Sequence, residues 1–133
     1  MKSCVLYFSR TGNTKKVAEA IANQVKAPLF DIATCEPSVI NDYDIIFLGT
    51  PVEGASPAKE TAAFVERFPQ GQGKKTVLFC TYRIFGNERT MKALEKKLVE
   101  KGYENVLRVS KKGMKPEKTT DLTELLDQIK KIQ

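Results

Sequence analysis

A loop rich in hydroxyl groups lies near the start of the chain, with the sequence Ser9-Arg10-Thr11-Gly12-Asn13-Thr14. It follows an apolar run and precedes a helical pattern that begins near Lys15. The serine and the two threonines can donate hydrogen bonds, and Gly12 allows a ligand to approach the backbone closely. The new helix directs its unpaired N–H groups and the positive end of its dipole back into the loop. These features predict a site for a phosphate dianion, held largely by neutral donors.

The spacing of this loop separates it from two common nucleotide sites. A P-loop would close with Gly-Lys-Ser or Gly-Lys-Thr, and a dinucleotide fingerprint would have three glycines where this loop has only Gly12. ATP, GTP and NAD are therefore poor candidates. A simpler interpretation is that Thr11 or Asn13 caps the helix while Gly12 makes the turn.

Composition excludes several classes of chemistry. The chain has 133 residues, which suits a single domain, 1–133. It contains no histidine, and Cys4, Cys35 and Cys80 form no Cys-x-x-Cys pair. Hydrolases with a histidine base and zinc sites with imidazole ligands are therefore excluded, and we assign no metal site and no catalytic residue. We expect Cys4 and Cys80 to be small apolar core residues and Cys35 to be partly exposed.

The excess positive charge lies in the second half of the chain. Residues 1–72 carry 7 basic and 8 acidic side chains, and residues 73–133 carry 15 and 8, so the halves have net charges of −1 and +7. A basic face can attract an acidic protein, a nucleic acid or a membrane surface. Because the lysines are interspersed with glutamates and no aromatic residues alternate with them, we expect a solvated face and no dedicated nucleic-acid site.

The chain has no apolar run of transmembrane length. The first apolar run, Val5 to Phe8, is also too short to be the core of a signal peptide. We therefore expect a cytoplasmic protein without a membrane segment.

Hydrophobic patterning predicts five strands that alternate with helices. The strands are continuous apolar runs, typical of buried parallel strands, at about 4–8, 29–32, 43–49, 75–80 and 105–109. The last helical pattern predicts a buried face of Leu122, Leu125, Leu126, Ile129 and Ile132. This alternation indicates a three-layer, doubly wound parallel sheet, whose ligands bind beyond the carboxyl ends of the strands.

The chain resembles the flavodoxin family over essentially its whole length. Loop 9–14 is similar to the [S/T]-x-T-G-x-T loop that holds the 5′-phosphate of FMN, and Gly49-Thr50-Pro51-Val52 is similar to the family's Gly-[S/T]-Pro-x turn. Loop 80–87 is the third segment of the resemblance. The family's fold implies a strand order of 2-1-3-4-5, in which strands 1, 3 and 4 are neighbours.

This resemblance implies FMN as the cofactor. Its phosphate would lie in loop 9–14, its ribityl chain along Thr50 and Pro51, and its ring near residues 52–54. Tyr82 or Phe85 would stack on the ring, and Tyr82 is the stronger candidate because it is closer to the strand end. Glu53 is either a carboxylate beside the ring or an ordinary exposed loop residue. The cofactor-binding residues predicted in this way are Ser9, Arg10, Thr11, Gly12, Asn13, Thr14, Thr50, Pro51, Val52, Glu53, Gly54, Thr81, Tyr82, Phe85 and Gly86.

Two features depart from the family pattern. Many flavodoxins place a tryptophan in the second loop, and this chain has none. Flavodoxins tend to be acidic, whereas this chain is basic and has Arg83 in the third loop. Positive charge near a flavin favours its reduced anion and raises its potential. The resemblance therefore implies the phosphate site more strongly than it implies the low reduction potential of the family.

The resemblance implies an electron carrier, expected to be a monomer, that docks transiently with larger redox partner proteins. An alternative is a small FMN-dependent oxidoreductase that reduces a quinone, acts on a porphyrinogen or activates a ribonucleotide reductase. A further alternative is an interaction domain that has lost the flavin. Because no insert offers a substrate pocket, we favour a carrier over an enzyme with its own substrate.

Overall fold

A computed structural model describes residues 1–133 as a sheet with helices on both faces. The strands are β1 (Ser3–Tyr7), β2 (Leu29–Asp31), β3 (Ile45–Glu53), β4 (Ser56–Pro57), β5 (Lys75–Tyr82) and β6 (Glu104–Lys112). The helices are α1 (Asn13–Val25), α2 (Lys59–Glu66), α3 (Asn87–Glu100) and α4 (Thr123–Lys130), and a 3-10 helix spans Pro37–Asp42. No helix is both long enough and apolar enough to cross a membrane.

The main sheet is parallel, and its strands lie in the order β2-β1-β3-β5-β6. The short strand β4 lies off this path and pairs antiparallel with the end of β3. When β4 is left out of the numbering, the order is the predicted 2-1-3-4-5, so the doubly wound flavodoxin-like sheet is confirmed. The strand order reverses between β1 and β3, which makes their carboxyl ends the switch point of the fold.

Successive strand residues point to opposite faces of the sheet, so a continuous apolar run makes both faces apolar. One face packs against α2 and α3, and its buried cluster includes Leu6, Leu48, Leu78, Phe64 and Leu94. The other packs against α1 and α4, and its buried cluster includes Val5, Phe47, Phe79, Ile21 and Ile129. This two-sided burial explains why the strands are continuous apolar runs in the sequence.

The cysteines lie as expected. Cys4 and Cys80 are fully buried, and burial raises the pKa of both thiols to about 12. Cys35 is half-buried, and desolvation followed by the nearby Asp31 carboxylate raises the pKa of its thiol. None of the three forms a disulfide.

The structure differs from the prediction at two places, the end of β3 and the end of the chain. The sequence predicts that the third strand ends at residue 49, but β3 continues to Glu53 and turns back through Gly54 and Ala55 into β4, which forms a hairpin. The prediction that Ile132 is buried is wrong: its side chain is 41% exposed, because α4 ends at Lys130 and the helical face does not extend to it.

Gly49 provides a test of the packing at the centre of the sheet. A Cβ atom at this position would lie 2.0 Å from Cε2 of the buried Phe79 ring. We expect Gly49→Ala to lower the free energy of unfolding by about 1–3 kcal/mol or more, as overpacking does. Urea unfolding followed by circular dichroism measures this change.

The matched control is the Phe79→Ala variant, alone and combined with Gly49→Ala. If the clash is the cause, the double variant is less destabilised than the sum of the two single variants. Strictly additive free energies would contradict the proposed contact.

Candidate functional site

A cleft of about 330 Å³ lies at the carboxyl edge of the sheet, where the loops after β1, β3 and β5 meet. This volume is at the lower end of the range of about 300–1,000 Å³ that is typical of ligand pockets. The cleft is lined by Arg10, Thr11, Asn13, Thr14, Pro51, Val52, Glu53, Thr81, Tyr82, Arg83, Met114 and Pro116. The structure therefore brings together residues from all three predicted segments.

The first loop positions the amino terminus of α1 at this cleft. Gly12 precedes the helix with a φ of 101°, a left-handed conformation that glycine adopts without strain. The Ser9 hydroxyl oxygen accepts hydrogen bonds from the N–H groups of Gly12 at 3.0 Å and Lys15 at 3.2 Å. The N-cap position of α1 is occupied by Gly12, which has no side chain, so the Ser9 hydroxyl, and neither Thr11 nor Asn13, accepts the hydrogen bond from the first turn. Since its oxygen already accepts two bonds, its own O–H can donate to another acceptor.

The first turn of α1 also offers donors that the protein does not use. The N–H groups of Asn13 and Thr14 have no acceptor in the protein. The turn contains no acidic side chain to neutralise the positive end of the helix dipole. These groups can therefore bind an anion, so the cap and the ligand site coexist in one loop.

Two side-chain hydrogen bonds connect the first loop to β5 and to the segment that follows β6. The hydroxyl groups of Thr14 and Thr81 share a buried hydrogen bond of 2.7 Å. The side-chain amide of Asn13 donates to the carbonyl oxygen of Met114 at 3.1 Å, which leaves Asn13 Oδ1 buried and without a donor. A ligand hydroxyl placed there would satisfy this oxygen.

Arg10 joins the first loop to the second. Its guanidinium donates to Glu53 at 2.7 and 2.9 Å and to Glu60 at 2.8 and 3.0 Å. Its Cζ lies 4.8 Å from the centre of the Phe8 ring, within range of a cation–π contact. We call this group of Arg10, Glu53 and Glu60 the arginine clasp. Hydrogen bonding in the clasp raises the pKa of Arg10 and lowers that of Glu60. The Glu53 carboxylate is therefore occupied by Arg10.

Thr50 and Pro51, both predicted to run along the ligand, have different positions. Thr50 is fully buried, and its hydroxyl oxygen accepts hydrogen bonds from the Ala58 N–H at 3.1 Å and the Thr61 hydroxyl at 3.0 Å. Thr50 therefore anchors the start of α2 and does not line the cleft. Pro51 and Val52 line it.

The two aromatic candidates in and beside the third loop differ in their position relative to the cleft. Tyr82 is half-buried and lines the cleft, whereas the Phe85 side chain is 71% exposed and lies outside the lining. Gly86 closes the loop against the hairpin, since a Cβ atom on it would lie 2.8 Å from Cα of Ala55. This placement favours Tyr82 as the aromatic partner of a flat ligand. The other predicted residues outside the lining are Ser9, Gly12, Thr50, Gly54 and Gly86.

Three lining residues were not assigned from the sequence. Arg83 was considered only for its charge, and Met114 and Pro116 follow the end of β6. Their position at the carboxyl edge of a parallel strand is the signal that could have identified them, because their residue types carry no chemical signal.

The donor set fits a phosphate monoester. Around the start of α1 the cleft offers N–H and O–H donors, and Glu53, its one acidic lining residue, is paired with Arg10. Tyr82 and the apolar Val52 provide surfaces for a flat, aromatic group. The arrangement can therefore bind a ligand that carries a phosphate at one end and a ring at the other.

Comparison with known proteins supports this interpretation. Residues 4–131 match the family model described as the flavodoxin domain. A flavodoxin from Clostridium beijerinckii is 31% identical over 102 residues, which are 71% of this chain and 73% of that protein. A flavodoxin from the domain Archaea is similar in structure, with a TM-score of 0.76, 23% identity and 99% coverage of both chains.

A neighbour with a bound ligand adds to the comparison. It is a flavoprotein from Lactobacillus acidophilus in complex with FMN, with a TM-score of 0.67, 17% identity, and coverage of 82% of this chain and 92% of that one. The predicted cofactor, FMN, is supported by the family match and by this complex.

The arginine clasp predicts a pH dependence of stability that Glu60→Gln removes. The folded state lowers the pKa of Glu60, so its stabilisation is present above the ordinary carboxyl pKa of about 4.3 and is lost as the pH falls through the lowered value. We expect the wild type to have a slightly higher urea midpoint than the variant at neutral pH, and the two midpoints to converge in acid. The effect is small because the ion pair is solvent-exposed.

Glu117→Gln is the matched control, since Glu117 is exposed and forms no ion pair. Its midpoint should follow that of the wild type at every pH. A difference between wild type and Glu60→Gln that stays constant down to about pH 2 would show that the Glu60 carboxylate does not stabilise the fold through its charge.

Proposed function

The chain belongs to the flavodoxin family, and on this premise we propose that it is an FMN-binding electron-transfer protein. The cleft at the carboxyl edge of the sheet is its cofactor site. When bound, FMN supplies redox chemistry that no side chain of this protein can provide. The protein's own residues bind the cofactor, orient it and set the charge around it.

The observation that carries this proposal is the set of unused donors at the start of α1. The N–H groups of Asn13 and Thr14 and the hydroxyl of Ser9 can converge on one anion at the positive end of a helix dipole. Thr11 lines the cleft next to them. A phosphate bound there would replace the water that these donors otherwise require.

Other residues suit the remainder of the cofactor. Asn13 Oδ1, which lacks a donor, can accept a hydrogen bond from a hydroxyl of the ribityl chain. Tyr82, Val52 and Pro51 provide the surfaces between which a flat ring would lie. Arg83 adds positive charge to the cleft, which would raise the potential of the bound flavin.

Short loops favour a carrier over an enzyme with its own substrate. Only four residues, 83–86, connect β5 to α3, and the hairpin between β3 and β4 packs against them through Ala55 and Gly86. These segments leave little chain to enclose a second ligand beside the cofactor. Such a carrier would expose an edge of the ring to transient protein partners, as a monomer.

A parallel titration with FMN and riboflavin tests the cofactor site. We expect FMN to bind much more tightly than riboflavin, because only FMN carries the phosphate. Thr11→Ala should weaken FMN binding by about tenfold or more, as the loss of a hydrogen bond to a charged group does, and should leave riboflavin binding unchanged. Flavin fluorescence quenching measures both affinities.

Ser38→Ala is the matched control, because Ser38 is an exposed hydroxyl residue that does not line the cleft. It should bind both ligands as the wild type does. Equal affinities for FMN and riboflavin would contradict the phosphate site. Rapid reduction of a quinone by the protein loaded with chemically reduced FMN, without a protein partner, would favour the reductase.

A further inference from the structure

An exposed apolar pair lies beside the cleft. Ile84 and Phe85, which we call the apolar tip, are each 71% exposed, although most large hydrophobic side chains of the protein are in its two cores. They lie in the β5–α3 loop between Arg83, which lines the cleft, and Gly86, which packs on Ala55 and Val52. Since Gly86 fixes the loop against the hairpin, the tip projects into solvent.

Exposed basic side chains lie on the two elements that adjoin this tip, α3 and β6. Arg89 and Lys92 are exposed and lie three residues apart on α3, so they share one face of the helix. Lys112 is exposed and lies opposite Tyr82 in the β5–β6 register. We call Arg89, Lys92 and Lys112 the basic rim. None of them has a carboxylate within 4.0 Å, in contrast to Arg10, Arg67, Lys97 and Arg108, which form ion pairs.

Two acidic side chains, Glu88 and Glu124, line the same groove as Lys112, but neither forms an ion pair with the basic rim. Glu88 adjoins Arg89 in sequence, but its carboxylate is directed towards Arg108, at 3.9 Å. Hydrogen bonds from Thr123 lower the pKa of the Asp121 carboxyl group, and Lys111 lowers it to a smaller extent. Lys111 is only partly exposed and is not counted in the rim. The elements next to the apolar tip therefore carry three exposed basic side chains that have no ion-pair partner within 4.0 Å.

We propose that the apolar tip and the basic rim form a docking surface for an acidic electron-transfer protein with an apolar patch at the centre of its own interface. The partner's redox class rests on the proposed function, whereas its acidity follows from the charge of the rim. An apolar centre with a charged rim is the usual organisation of a protein–protein interface. A nucleic acid would find one aromatic ring and an aliphatic side chain here, which is not a stacking platform.

Binding to an acidic bacterial-type ferredoxin tests the surface without any need for FMN. The charge-reversal variant is Arg89→Glu with Lys92→Glu, on the exposed face of α3. At low salt we expect the wild type to bind the ferredoxin and the variant to bind at least about tenfold more weakly. Wild-type affinity should also fall as salt increases towards 0.3 M, where the screening length is below about 8 Å. Isothermal titration calorimetry measures these affinities.

The matched control is Lys130→Glu with Lys131→Glu. It changes the net charge equally at the end of α4, near Gln24 and Gln133, and away from the cleft. Its affinity should stay within about twofold of the wild type. A second variant, Ile84→Ser with Phe85→Ser, should weaken binding even at the higher salt concentration, because the apolar contact is not screened.

Several results would overturn the proposal. The proposal fails if the wild type does not bind the ferredoxin, or if the charge-reversal and control variants lose affinity for it equally. It also fails if the tip variant binds the ferredoxin as tightly as the wild type does. Tighter wild-type binding to single-stranded DNA, to vesicles of anionic lipid or to the basic protein cytochrome c would also contradict it. If the protein binds the ferredoxin as expected but does not bind FMN, the docking surface stands and the proposed function fails.

Discussion

In the centre of the sheet, β1, β3 and β5 pair in a parallel register that places Tyr7, Gly49 and Phe79 in one row. Backbone hydrogen bonds fix this row, and the absence of a side chain at Gly49 leaves room for the Phe79 ring. Because all three strands run in the same direction, the loops that follow the row emerge at one edge. Residues as distant in sequence as Arg10 and Tyr82 therefore lie around a single cleft.

The charge of this cleft depends on how its few ionic groups are paired. The first turn of α1 contributes the positive end of a dipole and no acidic side chain. Glu53 could offset this potential, but it binds the guanidinium of Arg10. Arg83 adds a further positive charge. The basic character of the second half of the chain therefore extends to the site itself through Arg83.

Local patterns allowed much of this architecture to be predicted. The buried strands are continuous apolar runs, and the phosphate loop is a contiguous motif at the end of one of them, so each is determined by neighbouring residues. The partner of Glu53 could not be inferred, because Arg10 lies 43 residues away in sequence. The hydrogen bonds that the Ser9 hydroxyl accepts could not be predicted either, because they depend on the left-handed turn at Gly12, the N-cap residue of α1.

The edges of the site also depend on contacts between residues that are distant in sequence. The β3–β4 hairpin consists of a two-residue pairing around Gly54 and Ala55, with φ values of 60° and 61°. Both values suit a type I′ turn, but Ala55 is an unusual residue for one. Its conformation depends on tertiary contacts such as that with Gly86, and no local pattern reports these contacts. Met114 and Pro116 likewise enter the cleft through topology and not through residue type.

The connections between the three loops differ in strength. The Thr14–Thr81 hydrogen bond is buried and joins the first and third loops where water and salt do not reach it. The second loop is attached to the first by the arginine clasp, whose side chains are 35–44% exposed and whose ion pairs are screened by salt. Salt therefore weakens the ionic link between the first and second loops and leaves the hydrogen bond between the first and third loops unchanged.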